Sequence, residues 1–311
     1  MNPVLEVIGV TRRFGRLEAV KDVSFTLHPG TVTGFIGPNG AGKTTTLRMC
    51  ATLDLPDEGE VRVAGRSAID DPRAARRVIG FMPDAFGAYS NTTVSEYIDF
   101  YARAYGLRGA ERRETIASVV DFTGLGPLLD KETGALSKGM KQRLCLAKTL
   151  LPDPRVLLLD EPTAGLDPRA RVEFRDLVRG LAQLGKALLV SSHILSELAE
   201  FCDSVAIVER GRMVAAGRID DVGGKLRMSQ KVRVRTLVEC RRTVLFLAEQ
   251  HGVRDAQELE GAAVFEIDGD ERHLAELLAA MVSAGLGPVD FARESVGLED
   301  LFMRLTGREG A

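Results

Sequence analysis

Val32-Thr33-Gly34-Phe35-Ile36 runs directly into Gly37-Pro38-Asn39-Gly40-Ala41-Gly42-Lys43-Thr44, and from Thr45 to about Leu53 the pattern is helical. The order is a short apolar strand, a glycine-rich loop spaced G-x-x-x-x-G-K-T, and a helix. Glycines lack the Cβ that would stop backbone N–H groups from turning inward onto phosphate oxygens. The helix behind the loop points the positive end of its dipole at the same anion. Lys43 has the reach and charge for the β- and γ-phosphates, and the Thr44 hydroxyl suits one position on Mg²⁺. Residues 37–45 therefore imply a nucleoside triphosphate site.

The rest of the chain sets bounds on that reading. Its 311 residues suffice for one large or two medium domains, with ordinary globular contents of hydrophobic (45%) and charged (27%) residues. A net charge of −3 lacks the basic excess of a nucleic-acid-binding face, so no nucleic-acid partner is expected. The basic clusters Arg73–Arg77 and Arg233–Arg242 are interleaved with apolar or acidic residues, as on solvated helix faces. Cys50, Cys145, Cys202 and Cys240 are scattered without metal-ligand spacing and read as buried thiols in a reducing compartment. Residues 1–6 lack the order of a signal peptide, and no apolar run nears the ~20 residues of a membrane span. The expectation is a cytoplasmic chain whose membrane role would run through a partner.

Residues 1–222 read as one α/β domain. Apolar strands at Leu5–Ile8, Val32–Ile36, Val156–Leu159, Ala187–Val190 and Ser204–Val208 alternate with helical patterns, as in a parallel sheet with crossovers. Between Thr93 and Lys148 the spacing of Val94, Tyr97, Ile98 and Tyr101, then Ile116, Val119 and Val120, predicts a helical insertion, about residues 85–150. Past Gly223-Gly224, residues 225–311 read as a small α+β domain. Strands at Val232–Thr236, Gln257–Leu259, Ala263–Ile267 and Val289–Arg293, with helices at Thr243–Gln250 and Glu271–Ala284, give the order β-α-β-β-α-β. Asp270 is placed to cap the second helix, and Leu298–Leu305 reads as a closing helix.

Further motifs narrow the chemistry. Leu157-Leu158-Leu159 delivers Asp160 to the tip of a strand, where it can hold the Mg²⁺ shell beside Thr44. Glu161 points elsewhere and can act as general base on an attacking water. Leu136-Ser137-Lys138-Gly139-Met140-Lys141-Gln142-Arg143 then opens another helix, with Ser137 as its cap.

This set, over roughly residues 4–220, resembles the ATP-binding cassette (ABC) ATPases. The resemblance implies a P-loop NTPase fold and ATP with Mg²⁺ as ligands. It implies a head-to-tail dimer in which Ser137 and Gly139 of one chain meet the γ-phosphate held by the other. Ala164-Gly165-Leu166-Asp167 resembles the family's D-loop, and Asp167 would communicate across the dimer. Ser191-Ser192-His193 resembles the switch segment, with His193 on the γ-phosphate. Phe14 stands where the family stacks an aromatic ring on adenine; a buried core aromatic is the competing reading.

Two segments depart from the family pattern. Asp84, in Ile79-Gly80-Phe81-Met82-Pro83-Asp84, replaces a glutamine that contacts Mg²⁺ and water; it is shorter, charged, and no donor when ionised. The signature reads Ser-Lys-Gly-Met, and Lys138 and Met140 resemble variants in ABC-2-type exporter subunits. Ser295–Gly307 resembles the tail of an accessory domain in that group, although an apolar face of this kind is more often simple core than a regulatory or dimer-stabilising surface. The implied function is the ATPase subunit of an ABC-2-type exporter, peripheral on the inner membrane face. It would pair with a transmembrane permease subunit and a second ATP-binding subunit, a homodimer being expected. Tyr89, Tyr97, Phe100 and Tyr101 could form a receiving groove or core. The rival is a non-transport ABC ATPase acting on ribosomes or DNA.

Overall fold

The computed structural model describes residues 2–85, 87, 91–194, 198, 201–219, 230–267 and 271–294. Gly223-Gly224, Tyr89, Asp270 and the closing helix at Leu298–Leu305 lie outside them. The chain separates into two compact units, Met1–Ile219 and Asp220–Ala311.

In the first unit a six-stranded sheet has the order β10-β9-β3-β8-β7-β6. Its strands are β3 (Val32–Ile36), β6 (Ile79–Met82), β7 (Val156–Leu159), β8 (Ala187–Ser192), β9 (Ser204–Glu209) and β10 (Arg212–Arg218). The pairs among β9, β3, β8, β7 and β6 are parallel; β10 returns antiparallel on β9 as a hairpin edge. Every residue of β3, β7 and β8 is buried, the state that continuously apolar strands require when both sheet faces are covered.

The sequence reading differs from the structure at Leu5–Ile8. These residues belong to β1 (Leu5–Phe14), which pairs antiparallel with β2 (Leu17–Leu27) and β4 (Glu58–Val63) in a second sheet. The order there is β2-β1-β4-β5, with β5 at Arg66–Ser67. A four-residue apolar segment carries no record of its partner's direction. The tight Gly15 turn between β1 and β2, at φ +59°, makes the antiparallel hairpin. Val7, Val10, Phe25 and Leu27 of this sheet share one core with Phe35, Leu47, Leu158, Leu189 and Val208. The Phe25 and Phe35 rings lie 5.4 Å apart across it.

Helix α1 (Lys43–Cys50) starts two residues earlier than its pattern indicated, because Gly42, at φ +96°, caps it from the left-handed region. After α2 (Pro72–Arg76) come α3 (Val94–Ala104), α4 (Gly109–Phe122) and α5 (Lys138–Leu150), with no strand among the described residues between them. A capping box fixes the start of α3: Glu96 N–H donates to Thr93 Oγ1, and Thr93 N–H donates to Glu96 Oε2. Val94, Tyr97, Ile98, Val119 and Val120 are buried, whereas Phe100 is exposed. Helix α6 (Pro168–Gln183) precedes β8.

The second unit follows the β-α-β-β-α-β order: β11 (Gln230–Thr236), α7 (Cys240–Ala248), β12 (Val253–Leu259), β13 (Ala262–Ile267), α8 (Glu271–Ser283) and β14 (Pro288–Glu294). Its antiparallel sheet has the order β12-β13-β11-β14, the ferredoxin-like arrangement. Val232, Val234, Phe265, Leu274, Leu277 and Met281 form its core.

Leu158 is fully buried in the core that joins the two sheets of the first unit, and Ile8 is exposed on β1. Leu158→Ala is expected to cost about 2–5 kcal/mol, and Ile8→Ala at most about 0.5 kcal/mol. Urea unfolding midpoints of the two variants check this contrast.

Candidate nucleotide site

Parallel register decides which residues meet. Ile36 lies opposite Ser192, Leu159 opposite Val190, and Met82 opposite Leu159. Gly37, His193, Asp160 and the Pro83-Asp84 turn therefore all leave the same, carboxyl edge of the sheet, where open α/β sheets place ligands.

A cavity of about 520 Å³ opens there, lined by Phe14, Leu17, Ala19, Asn39, Gly40, Gly42, Lys43, Thr44, Thr45, Asp84, Glu161, Ala164 and His193. Phe14 is 48% exposed at the end of β1, so the core-aromatic alternative does not hold. Gly37 is buried, and a Cβ on it would lie 2.3 Å from the Val208 carbonyl oxygen, so only glycine fits. At Gly42 the clash would be with Ala19 O at 2.5 Å. Ala41 is buried and its N–H donates to Pro38 O, which closes the loop on itself. The Lys43 ammonium is buried, donating to Gly37 O at 2.7 Å and Pro38 O at 3.3 Å, and lies 3.3 Å from Glu161 Oε1.

The two adjacent carboxylates diverge for a backbone reason. Glu161 has φ +46°, the left-handed region that costs a non-glycine residue on the order of 1–3 kcal/mol. That turn takes Glu161 off the strand line, and its Oε2 lies 2.9 Å from His193 Nδ1. An ionised carboxylate only accepts, so Nδ1 carries the proton in this pair.

Ser191 sits two residues before His193, a place that by itself gives no hint of its role, yet it ties the two acidic residues together. Its Oγ donates to Asp160 Oδ1 at 2.7 Å and accepts from Glu161 N–H at 2.9 Å. A serine ending an otherwise apolar strand was the available signal. Burial holds the Asp160 carboxyl above its usual range; hydrogen bonds from Ser191 and Thr44 pull it down, and the Glu161 and Asp84 charges push it up. Among the described residues no cluster of His, Cys, Asp and Glu could hold a metal by itself. Thr44, Asp160 and Asp84 offer hard oxygen donors, a set that fits Mg²⁺ when phosphates supply further ligands.

Ser137, Gly139 and Asp167 do not line this cavity. Ser137 caps α5 by accepting from Met140 N–H, and Asp167 caps α6 by accepting from Ala170 N–H. The two helix starts are packed together: a Cβ on Gly139 would lie 2.9 Å from Ala170 Cβ.

The sequence profile described as ABC transporter matches residues 20–164, and one for an AAA domain matches residues 132–199. The chain is 34% identical to the Nod factor export ATP-binding protein I of Ralstonia nicotianae, over 99% of this chain and 95% of that protein. The chain belongs to the ABC transporter ATP-binding proteins. It is also 37% identical to the "Probable multidrug ABC transporter ATP-binding protein YbhF" of Escherichia coli, over 70% of this chain but 38% of that protein. A solved ATP-binding subunit of an ABC transporter superposes with a TM-score of 0.65 at 31% identity, over 72% of this chain and 93% of that one. As an ABC ATP-binding subunit the chain is an ATPase, converting ATP and water to ADP and phosphate in a reaction coupled to transport.

The raised Asp160 carboxyl yields a signed expectation. Ionisation opposes folding there, so the associated stability is full below the unfolded carboxylate value, near pH 4, and is lost as pH rises through the higher folded value. Asp160→Asn should unfold at a higher temperature than the parent protein at neutral pH, with the gap closing toward about pH 4. Nucleotide-free thermal scans across pH check this.

Proposed function

We propose that this chain is the ATP-hydrolysing subunit of an ABC-2-type membrane exporter. It would work as a head-to-tail dimer on a separate transmembrane permease subunit and lie on the inner face of the membrane. The observation that carries the reading is a half-built site. Residues 37–45, Asp160, Glu161 and His193 converge at one sheet edge, whereas Ser137, Gly139 and Asp167 stand outside the cavity at two packed helix starts. A second copy could supply them in trans, bringing the α5 N-terminus to a γ-phosphate. Among the described residues no helix is long and apolar enough to cross a membrane, which is consistent with a separate permease. The relatives named for Nod factor export and multidrug transport support the exporter reading.

The chain's own groups supply a hydrolytic sequence. Phe14 stacks on the adenine, and the loop N–H groups and Lys43 hold the phosphates. Lys43 exchanges its bonds to Gly37 O, Pro38 O and Glu161 for phosphate oxygens, which frees Glu161 Oε1. Glu161 then takes the proton of the attacking water, and His193, held by Oε2, orients that water and the γ-phosphate. Thr44, Asp160 and Asp84 would hold Mg²⁺, which supplies charge neutralisation on the phosphates when bound. Residues 85–150, with exposed Phe100, would pass the motion to the permease.

Glu161→Gln is expected to lower kcat by about 10²-fold or more and to trap an ATP-bound dimer, read by gel filtration with ATP. Monomers alone would defeat the sandwich. A pulldown from detergent-solubilised membranes is expected to recover a polytopic protein at near-equal abundance; ribosomal proteins or nucleic acid would favour the non-transport ATPase.

A further inference from the structure

The cavity is lined by chemically different groups. Its polar lining, Asn39, Lys43, Thr44, Thr45, Asp84, Glu161 and His193, belongs to the phosphate loop and the strand tips. Phe14, Leu17 and Ala19, from β1 and β2, bring apolar side chains to it. Phe14 is the one benzene ring among these lining residues, and a group outside the cavity packs on it.

Arg12 and Phe14, two residues apart, project from the same face of β1. The Arg12 guanidinium lies 4.9 Å from the Phe14 ring centroid, within cation–π range. Phe14 lines the cavity and Arg12 does not, so the guanidinium reaches the site only through the ring. The cation is itself pinned. Arg12 Nη1 donates to Asp57 Oδ1 at 3.0 Å, and the other carboxylate oxygen accepts from Arg13 N–H at 2.6 Å. Asp57 N–H donates to Thr11 O at 2.8 Å, tying the Asp57 loop back to the same strand.

We propose that Arg12, anchored by Asp57, is a positioning residue for the nucleobase: it fixes the Phe14 ring and prepares its cavity face for a purine. The proposal rests on reading the cavity as the nucleotide site. Two physical effects contribute. A half-exposed ring otherwise loses rotamer freedom when it stacks, and a guanidinium already packed on one face meets that cost before the ligand arrives. The cation also draws π density toward itself, leaving the opposite face a better offset-stacking partner for a purine. Asp57 balances the Arg12 charge, so long-range attraction for phosphate is not what Arg12 contributes.

The test uses the full chain and two probes, MgATP and inorganic tripolyphosphate, which shares the phosphates and lacks the base. Arg12→Ala should weaken ATP binding by about two- to fivefold, the size of an exposed cation–π contact, and raise KM by a similar factor with kcat retained. Its tripolyphosphate affinity should equal the parent's, and Arg12→Lys, which keeps a cation on the ring and a partner for Asp57, should recover part of the ATP affinity. Equal loss for both probes would overturn the proposal in favour of a general structural defect. If Phe14→Ala weakens ATP binding and Arg12→Ala does not, the positioning role is overturned while the base site stands. If Phe14→Ala has no effect on ATP, the nucleobase reading of the cavity itself fails. Should Arg12→Ala not fold, Arg12→Met, which retains the stem without the charge, takes its place with the same expected split between probes.

Discussion

The parallel pairing of β3, β8 and β7 is the constraint from which the site follows. Three fully buried strands run parallel in register, β3 and β8 ending opposite each other and β7 two residues earlier, so the residues after them leave from one edge. Gly37, Asp160 and His193 come from positions up to 156 residues apart, yet the ladder delivers them together. A one-residue slip would turn every side chain of a strand to the opposite face. The crossover connections between these strands give the pairing its parallel direction, and the second sheet contributes to the same core.

That rigid frame holds groups that oppose folding. Asp160 is buried with its carboxyl raised, and Glu161 occupies a left-handed conformation. Both are held through a single hydroxyl, Ser191, which donates to one and accepts from the other's backbone. Lys43 is bound to carbonyls of its own loop and lies beside Glu161. The molecule thus keeps a base and a cation together, an arrangement that phosphate would separate. Strain and desolvation at a strand tip are what distinguish this edge from an ordinary sheet end.

The departures from the family pattern take on physical meaning in this setting. Asp84 lines the cavity and adds a negative charge close enough to raise Asp160 further. Lys138 extends its ammonium to Gly165, where an added Cβ would come within 2.7 Å of it, so this departure lies where the α5 start meets the segment before α6.

The phosphate loop, the carboxylate strand tip and the helical insertion were legible in the sequence because each is local. Loop glycines, an apolar run and a helical period state their own conformation over a few residues. The second unit's β-α-β-β-α-β order was legible for the same reason, and its strand order was not. The direction of β1 was hidden, since an apolar segment of four residues fits either kind of sheet. Ser191 was hidden as well, because a serine's role depends on what burial places beside its hydroxyl. The core alternative for Phe14 was excluded only by the fold, in which β1 ends beside the loop and leaves the ring half exposed. The sequence by itself determined which groups are present and the local shapes that carry them. Tertiary structure alone decided which of them meet, because the distances that matter are set by pairing between strands that are far apart along the chain.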